Sequence, residues 1–200
     1  GVFGRRLILG GRVSLLIAAG ATLFTLVLAF FAGIVSGMCS HIIDKIVQFI
    51  CECLKIIPRI LLLLVLGGLI SQTTSLNQRI YSLIVILSLS SWMYWAKIIR
   101  NIVYETCQKE FILCARTSGA THLDIIYTHI RPQLYIYAQA AWIQTLPQML
   151  LQEAILSFLG VGIQEPFASW GLMLNHLDTA SNLMQMPWLL YTALVLILTV

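Results

Sequence analysis

Charge is what this sequence has least of. Only 10% of its 200 residues are Asp, Glu, Lys or Arg, while 59% are hydrophobic and the mean hydropathy is +0.90. A soluble domain carries about 25% charged residues. This chain has too little polar surface to cover a water-soluble globule, and a lipid bilayer is its expected solvent. The net charge of +4 comes from cations standing singly or in pairs, so there is no basic stripe and no nucleic-acid footprint. The cysteine count is five, odd, with no C-x-x-C, which gives neither a disulfide framework nor a metal framework. Cys51 and Cys53 stand two apart, about 200° of rotation on a helix, too far round to hold one ion. Nothing matches G-x-x-x-x-G-K-[ST], so a P-loop is missing and the chain is not expected to be an enzyme. A signal peptide is not expected either: the run after Arg5, Arg6 and Arg12 is too long for an h-region and no cleavage site closes it. The chain begins at Gly1 and stops inside an apolar run at Val200, and reads as a piece of a longer protein.

What is there is a series of long apolar runs, and they predict an all-α, polytopic membrane helix bundle forming a single domain over 1–200. The first run, 13–38, is 26 residues without a formal charge, about 39 Å of helix against a hydrocarbon core of about 30 Å. Gly20, Gly33 and Gly37 in it would let neighbouring helices approach closely. The second, 49–70, carries Glu52, Lys55 and Arg59 and spans only if its cations snorkel to the interface; Pro58 is expected to kink it. The third, 80–104, is bounded by Arg79 and has Trp92, Tyr94 and Trp95 where interfacial aromatics belong. The fourth is 133–160, and the fifth, 186–200, is cut short by the chain end. Alternating these five spans puts Lys45, Lys55, Arg59, Lys97, Arg100, Lys109, Arg116 and Arg131 on one side and Arg5, Arg6, Arg12 and Arg79 on the other, eight cations against four. The positive-inside rule then makes 105–132 a cytoplasmic loop and 161–185 an extracytoplasmic one.

Between the third and fourth spans stands EFILCARTSGATHLDIIYTHIRP, Glu110–Pro132. EFILCARTS is helix-compatible, and Gly119 is the natural residue for a left-handed stop after it. Thr121 followed by Asp124 has capping-box spacing, so a second helix is expected over THLDIIYTHI, with Pro132 in the first turn of the next span. A helix–glycine–helix elbow of this kind offers a short rigid helix to a soluble partner while both flanks stay anchored.

This elbow resembles the EAA loop of permease subunits in binding-protein-dependent ABC importers. The E-A-A triplet maps onto Leu113-Cys114-Ala115, its glycine onto Gly119 and its Ile-x-Pro onto Ile130-Arg131-Pro132. EAILSFLGVGIQEPFASWGLML (Glu153–Leu174), GGRVSLLI near the amino end and Ile56-Ile57-Pro58 are similar to the dipeptide, oligopeptide and nickel permeases. The resemblance covers essentially the whole chain. It implies the type I importer permease fold with six spans in the full protein, a first helix upstream, a cytoplasmic carboxyl tail, and a multi-pass place in the prokaryotic cytoplasmic (inner) membrane. It also implies the partners: a second homologous permease subunit, cytoplasmic subunits that bind ATP and Mg, and an extracytoplasmic substrate-binding protein, with no cofactor on this chain. The loop around Leu113, Cys114, Ala115, Arg116, Gly119, Ala120, Asp124 and Pro132 would be the helix that sits in a groove of the ATPase. This sequence departs from the family where Leu113 replaces the EAA glutamate and Arg131 the leucine before the proline. The departure bears on polar contacts with the motor, not on the shape. A structural membrane subunit of the same fold, transport-inactive or divergently coupled, is the alternative function.

Glu153 is the most informative single residue. A carboxylate inside an apolar helix costs about 2.5–3.5 kcal/mol on insertion scales and usually faces the bundle interior. It reads either as a pathway or gating residue, with Pro58 and Ser157, or as a structural group bonding loop backbone around Ser157–Gly162. Ser169-Trp170-Gly171 reads as substrate contact at the outer mouth or, more simply, as an interfacial anchor. His122 and His129 lie seven apart, whereas chelating pairs on helices usually stand four apart; a solvated face explains both, and a metal site is not expected.

Overall fold

The computed structural model describes residues 2–38, 41–70, 75–164, 167 and 169–175. The expected fifth span and residues 176–185 of the outer loop lie outside these. Among the described residues there is no strand, and the chain is all-α. Its helices are α1 (Val2–Met38), α2 (His41–Ile56), α3 (Arg59–Ile70), α4 (Leu76–Leu89), α5 (Trp92–Cys107), α6 (Glu110–Thr117), α7 (His122–Ile125), a π-helical turn Ile126–Ile130, α8 (Arg131–Phe158) and α9 (Trp170–Asn175). Of the described helices, α1 is long and apolar enough to cross a membrane alone, over Leu7–Met38, and α4 with α5 pass the same measure together.

Two of the expected spans are divided. Pro58 stands in the break between α2 and α3, as its missing N–H and crowding ring dictate. The 80–104 run is interrupted at Ser90–Ser91, between α4 and α5. Serine hydroxyls compete for the backbone there: Ser88 Oγ donates to the Ile84 carbonyl at 2.6 Å and Ser90 Oγ to that of Leu87 at 2.9 Å.

The described residues form two compact units, one of those up to Phe24, over Pro58–Ser90 and from Gln144 to Asn175, the other of those over Thr25–Ile57 and Ser91–Ile143. The core of the first is built from Ile17, Ala21, Leu83, Leu87, Met149, Leu150, Leu156, Ile163 and Trp170. Here Gly20 faces Ile84, whose Cδ1 would lie 2.8 Å from an added Cβ. The second unit packs α1 on α5 in the same way. A Cβ on Gly33 would come within 2.7 Å of Ile99, and one on Gly37 within 2.8 Å of Val103. Hydrocarbon gives apolar helices no burial incentive, so such close backbone approach, with its dispersion contacts, is what holds them together. Ile99 and Val103, fully buried, are also the platform on which Ile112, Ile125, Ile130 and Leu134 rest.

Candidate functional site

The elbow assembles from local chemistry. Ile112 is the residue of α6 that is buried, against the α5 platform, while Phe111 and Leu113 on either side are each 50% exposed. α6 stops at a Schellman motif: the N–H of Gly119 donates to the Arg116 carbonyl at 3.1 Å and that of Ala120 to Ala115 at 3.0 Å. Closing both bonds requires a left-handed residue between them, and Gly119 supplies φ +91°. The next helix then opens on a full capping box. Asp124 Oδ2 accepts from the Thr121 hydroxyl at 2.6 Å and from the Thr121 N–H at 2.9 Å, while the Asp124 N–H donates to Thr121 Oγ1 at 3.3 Å. Those bonds hold the Asp124 carboxyl below its ordinary pKa.

The second arm differs from the expected separate helix. α7 passes through the π turn 126–130 directly into α8. Pro132 has no N–H for the carbonyl of Thr128 four residues back, and its ring crowds that group; the wider winding just before it relieves the clash. The π turn also shifts the helical phase between His122 and His129, and the His129 ring lies against Phe111 with centroids 5.5 Å apart. Among the expected elbow residues, Leu113, Cys114, Arg116, Gly119, Asp124 and Pro132 are exposed, and Ala115 and Ala120 half-buried. Leu113 and Arg116 line a cleft of about 430 Å³ with Ser36, Asp44, Tyr104 and Cys107. Burial pushes the Cys107 thiol upward, and Arg116 acts against it. Arg131 borders an open groove of about 690 Å³ with Phe30, Ile34, Tyr127 and Tyr135.

Asp44 and Arg100 were not legible as a site. Arg100 Nε donates to Asp44 Oδ1 at 2.9 Å, its terminal amine donates to Oδ2, and Ser36 Oγ donates to Oδ1 at 2.6 Å. The Arg100 guanidinium also lies 4.7 Å over the Tyr104 ring. Further along the same helix pair Lys97 meets Glu52 at 3.7 Å. The two pairs run in opposite order along α2 and α5. The signal available in the sequence was that matched order of opposite charges in two otherwise apolar segments.

In the other unit the structure brings Glu153, Ser157 and Trp170 together. Glu153 is fully buried, and its Oε1 accepts from Ser157 Oγ at 2.7 Å. Ser157 Oγ in turn accepts the N–H of Ile163 at 3.1 Å. The Ser14 and Ser169 hydroxyls lie near the same carboxylate, yet its Oε2 has no hydrogen-bond partner among the described residues. Trp170 is buried and ties this cluster to α1: its backbone N–H donates to Ser14 Oγ at 3.3 Å and its indole N–H to the Leu7 carbonyl at 3.1 Å. Its ring covers Gly11, where an added Cβ would come within 2.7 Å. The Ser157 carbonyl also accepts the inner bond, from the Gly160 N–H at 3.1 Å, of a second Schellman motif whose left-handed residue is Gly160 at φ +77°. Pro58 stands outside this cluster, exposed in the α2–α3 break.

Residues 13–200 match the family described as the binding-protein-dependent transport system inner membrane component. A putative peptide permease protein of Brucella ovis is 33% identical over 180 residues, which is 90% of this chain and 57% of the relative. The dipeptide transport system permease protein DppC of Lactococcus lactis is 30% identical over 96% of this chain and 54% of its own length. The oligopeptide transport system permease protein OppC of Salmonella typhimurium is 32% identical over 92% of this chain and 59% of its own. The chain thus spans somewhat more than half the length of these curated relatives. With the glycine-hinged elbow and the buried glutamate cluster in place, and the family matched over 13–200, this chain belongs to the inner membrane components of binding-protein-dependent transport systems.

Proposed function

We propose that this chain is a permease subunit of an ATP-driven importer of peptides or a similar small solute, forming half of the translocation pathway beside a second homologous permease. Energy comes from separate cytoplasmic subunits that hold ATP and Mg, and cargo from an extracytoplasmic binding protein. The elbow 110–132 is the handle. The observation that carries this reading is the division of labour in α6: Ile112 is sunk in the platform of its own unit while Phe111 and Leu113 remain half exposed for a partner. A Schellman stop and a capping box fix the angle between the two arms, so a force on α6 is passed to α8 through a stiff corner. The relatives named as peptide, dipeptide and oligopeptide permeases support the cargo class.

A second reading, a transport-inactive or divergently coupled structural subunit, draws on Leu113. An exposed leucine where the family's glutamate stands offers the motor an apolar contact in place of a charge. Reconstitution separates the two. Vesicles holding this permease, its pairing permease, the ATPase and the binding protein should accumulate a labelled peptide with ATP and not without it. Equal counts under both conditions would leave the structural subunit as the function.

A further inference from the structure

α8 carries glutamines that neither the elbow nor the glutamate cluster uses. Gln133 is taken up internally, accepting from Thr106 Oγ1 at 2.8 Å. Gln144, Gln148 and Gln152 follow at intervals of four, which places them on one stripe of the helix. Gln144 and Gln148 are exposed, Gln152 is half-buried with its Oε1 buried and unpartnered, and none of the three side chains has a hydrogen bond among the described residues. The rest of this exposed face, Leu151 and Ile155, is apolar. At 100° per residue Glu153 lies about 140° round from Gln148, and it is buried in the opposite direction.

We infer that Gln144 and Gln148, not Glu153, line the passage, with Gln152 at the buried end of their stripe, and that their amides contact the main chain of a peptide in transit. This rests on the importer reading above. Lipid is excluded as the covering, because carboxamides facing hydrocarbon lose their hydrogen bonds. A carboxamide both donates and accepts, as the peptide group does, so one stripe can serve peptides of any sequence. Uncharged amides set among aliphatic side chains place no demand on side-chain charge. Glu153 then holds the wall of the passage from behind.

Two measurements test it in the reconstituted complex. In a cysteine-free background, Gln148→Cys should react with a membrane-impermeant thiol reagent, and saturating dipeptide or oligopeptide should slow the reaction. Met149→Cys, fully buried, should stay unreactive. Gln144→Leu and Gln148→Leu should each lower kcat/KM for uptake about threefold to tenfold, the worth of one neutral hydrogen bond, with protein levels unchanged; Gln148→Asn should recover part of the loss. Leucine variants that transport like wild type overturn the inference. So does a Gln148→Cys thiol that is inert to the reagent or forms a disulfide with the second permease chain, which would make this face a subunit interface. Wild-type vesicles without ATP-dependent uptake would instead sink the importer reading, and the water accessibility of position 148 would still judge the stripe.

Discussion

Ser157 shows how much one hydroxyl can hold. It donates a hydrogen bond to Glu153 Oε1 and accepts one from the Ile163 N–H, so it satisfies a buried carboxylate and a loop amide at once. Ser157→Ala strands both. The expected loss is about 1–3 kcal/mol for each stranded group, read as a lowered midpoint of thermal unfolding in detergent, whereas Ser157→Thr keeps the hydroxyl and should lose less. Glu153→Gln should leave insertion intact. Because the side chain faces its own unit, the same substitution should also leave peptide uptake nearly unchanged; a large fall in uptake at full expression would make Glu153 a pathway residue. Glu153 could be picked out of the sequence because a lone carboxylate in an apolar run is conspicuous, and Ser157, one turn on, was within reach of the same reasoning. The contact between Ser14 and Trp170 was not: it joins residues 156 apart in the chain, and no local pattern encodes it. Asp124 belongs to this scale too. Its carboxyl is held below the ordinary value by Thr121, so its part of the cap is in full force above the ordinary carboxylate pKa and is lost as the pH falls through the lowered one. Hydrogen exchange at the Thr121 amide, corrected for intrinsic rate, should stay slow at neutral pH and quicken only in acid; Asp124→Ala should quicken it at every pH.

At the scale of elements, the elbow was legible because its stops and starts are local. Gly119, Thr121 and Asp124 are the cap residues, and the structure closes both caps on them. The π turn was not legible, since it is a change of winding and leaves the apolar pattern in place. The break at Ser90–Ser91 did leave a signal in Ser88, Ser90 and Ser91, but hydropathy alone passes over serines that satisfy themselves on their own backbone. The glycines of α1 make a sharper case. Gly33→Leu forces a side chain into Ile99 and the Ala96 carbonyl, an overpacking worth about 1–3 kcal/mol. Its thermal midpoint in detergent should fall well below that of Leu28→Ala, a substitution at a partly exposed site on the same helix. Equal midpoints would mean that α1 and α5 do not need their close approach.

For the whole molecule, composition and apolar runs were enough to establish an all-α membrane protein, and the family match agrees. The division into two units was beyond them: it cuts through continuous helices, and it depends on which faces pack, not on where the runs begin. Sidedness rests on eight cations against four. Single cysteines at Thr121→Cys and Asn175→Cys should therefore label with impermeant maleimide from opposite sides of the membrane. The central claim, however, is that the elbow transmits the motor's stroke, and Gly119 is where to strike it. A valine there must adopt φ +91°, about 1–2 kcal/mol uphill, with open space around it and no clash to confuse the result. The direct measurement is ATP hydrolysis stimulated by loaded binding protein, taken beside co-purification of the ATPase, for wild type and Gly119→Val at matched expression. An elbow that carries the stroke should yield an inserted permease whose stimulated hydrolysis, retained ATPase, or both fall away. Full stimulation and full retention in Gly119→Val would contradict it.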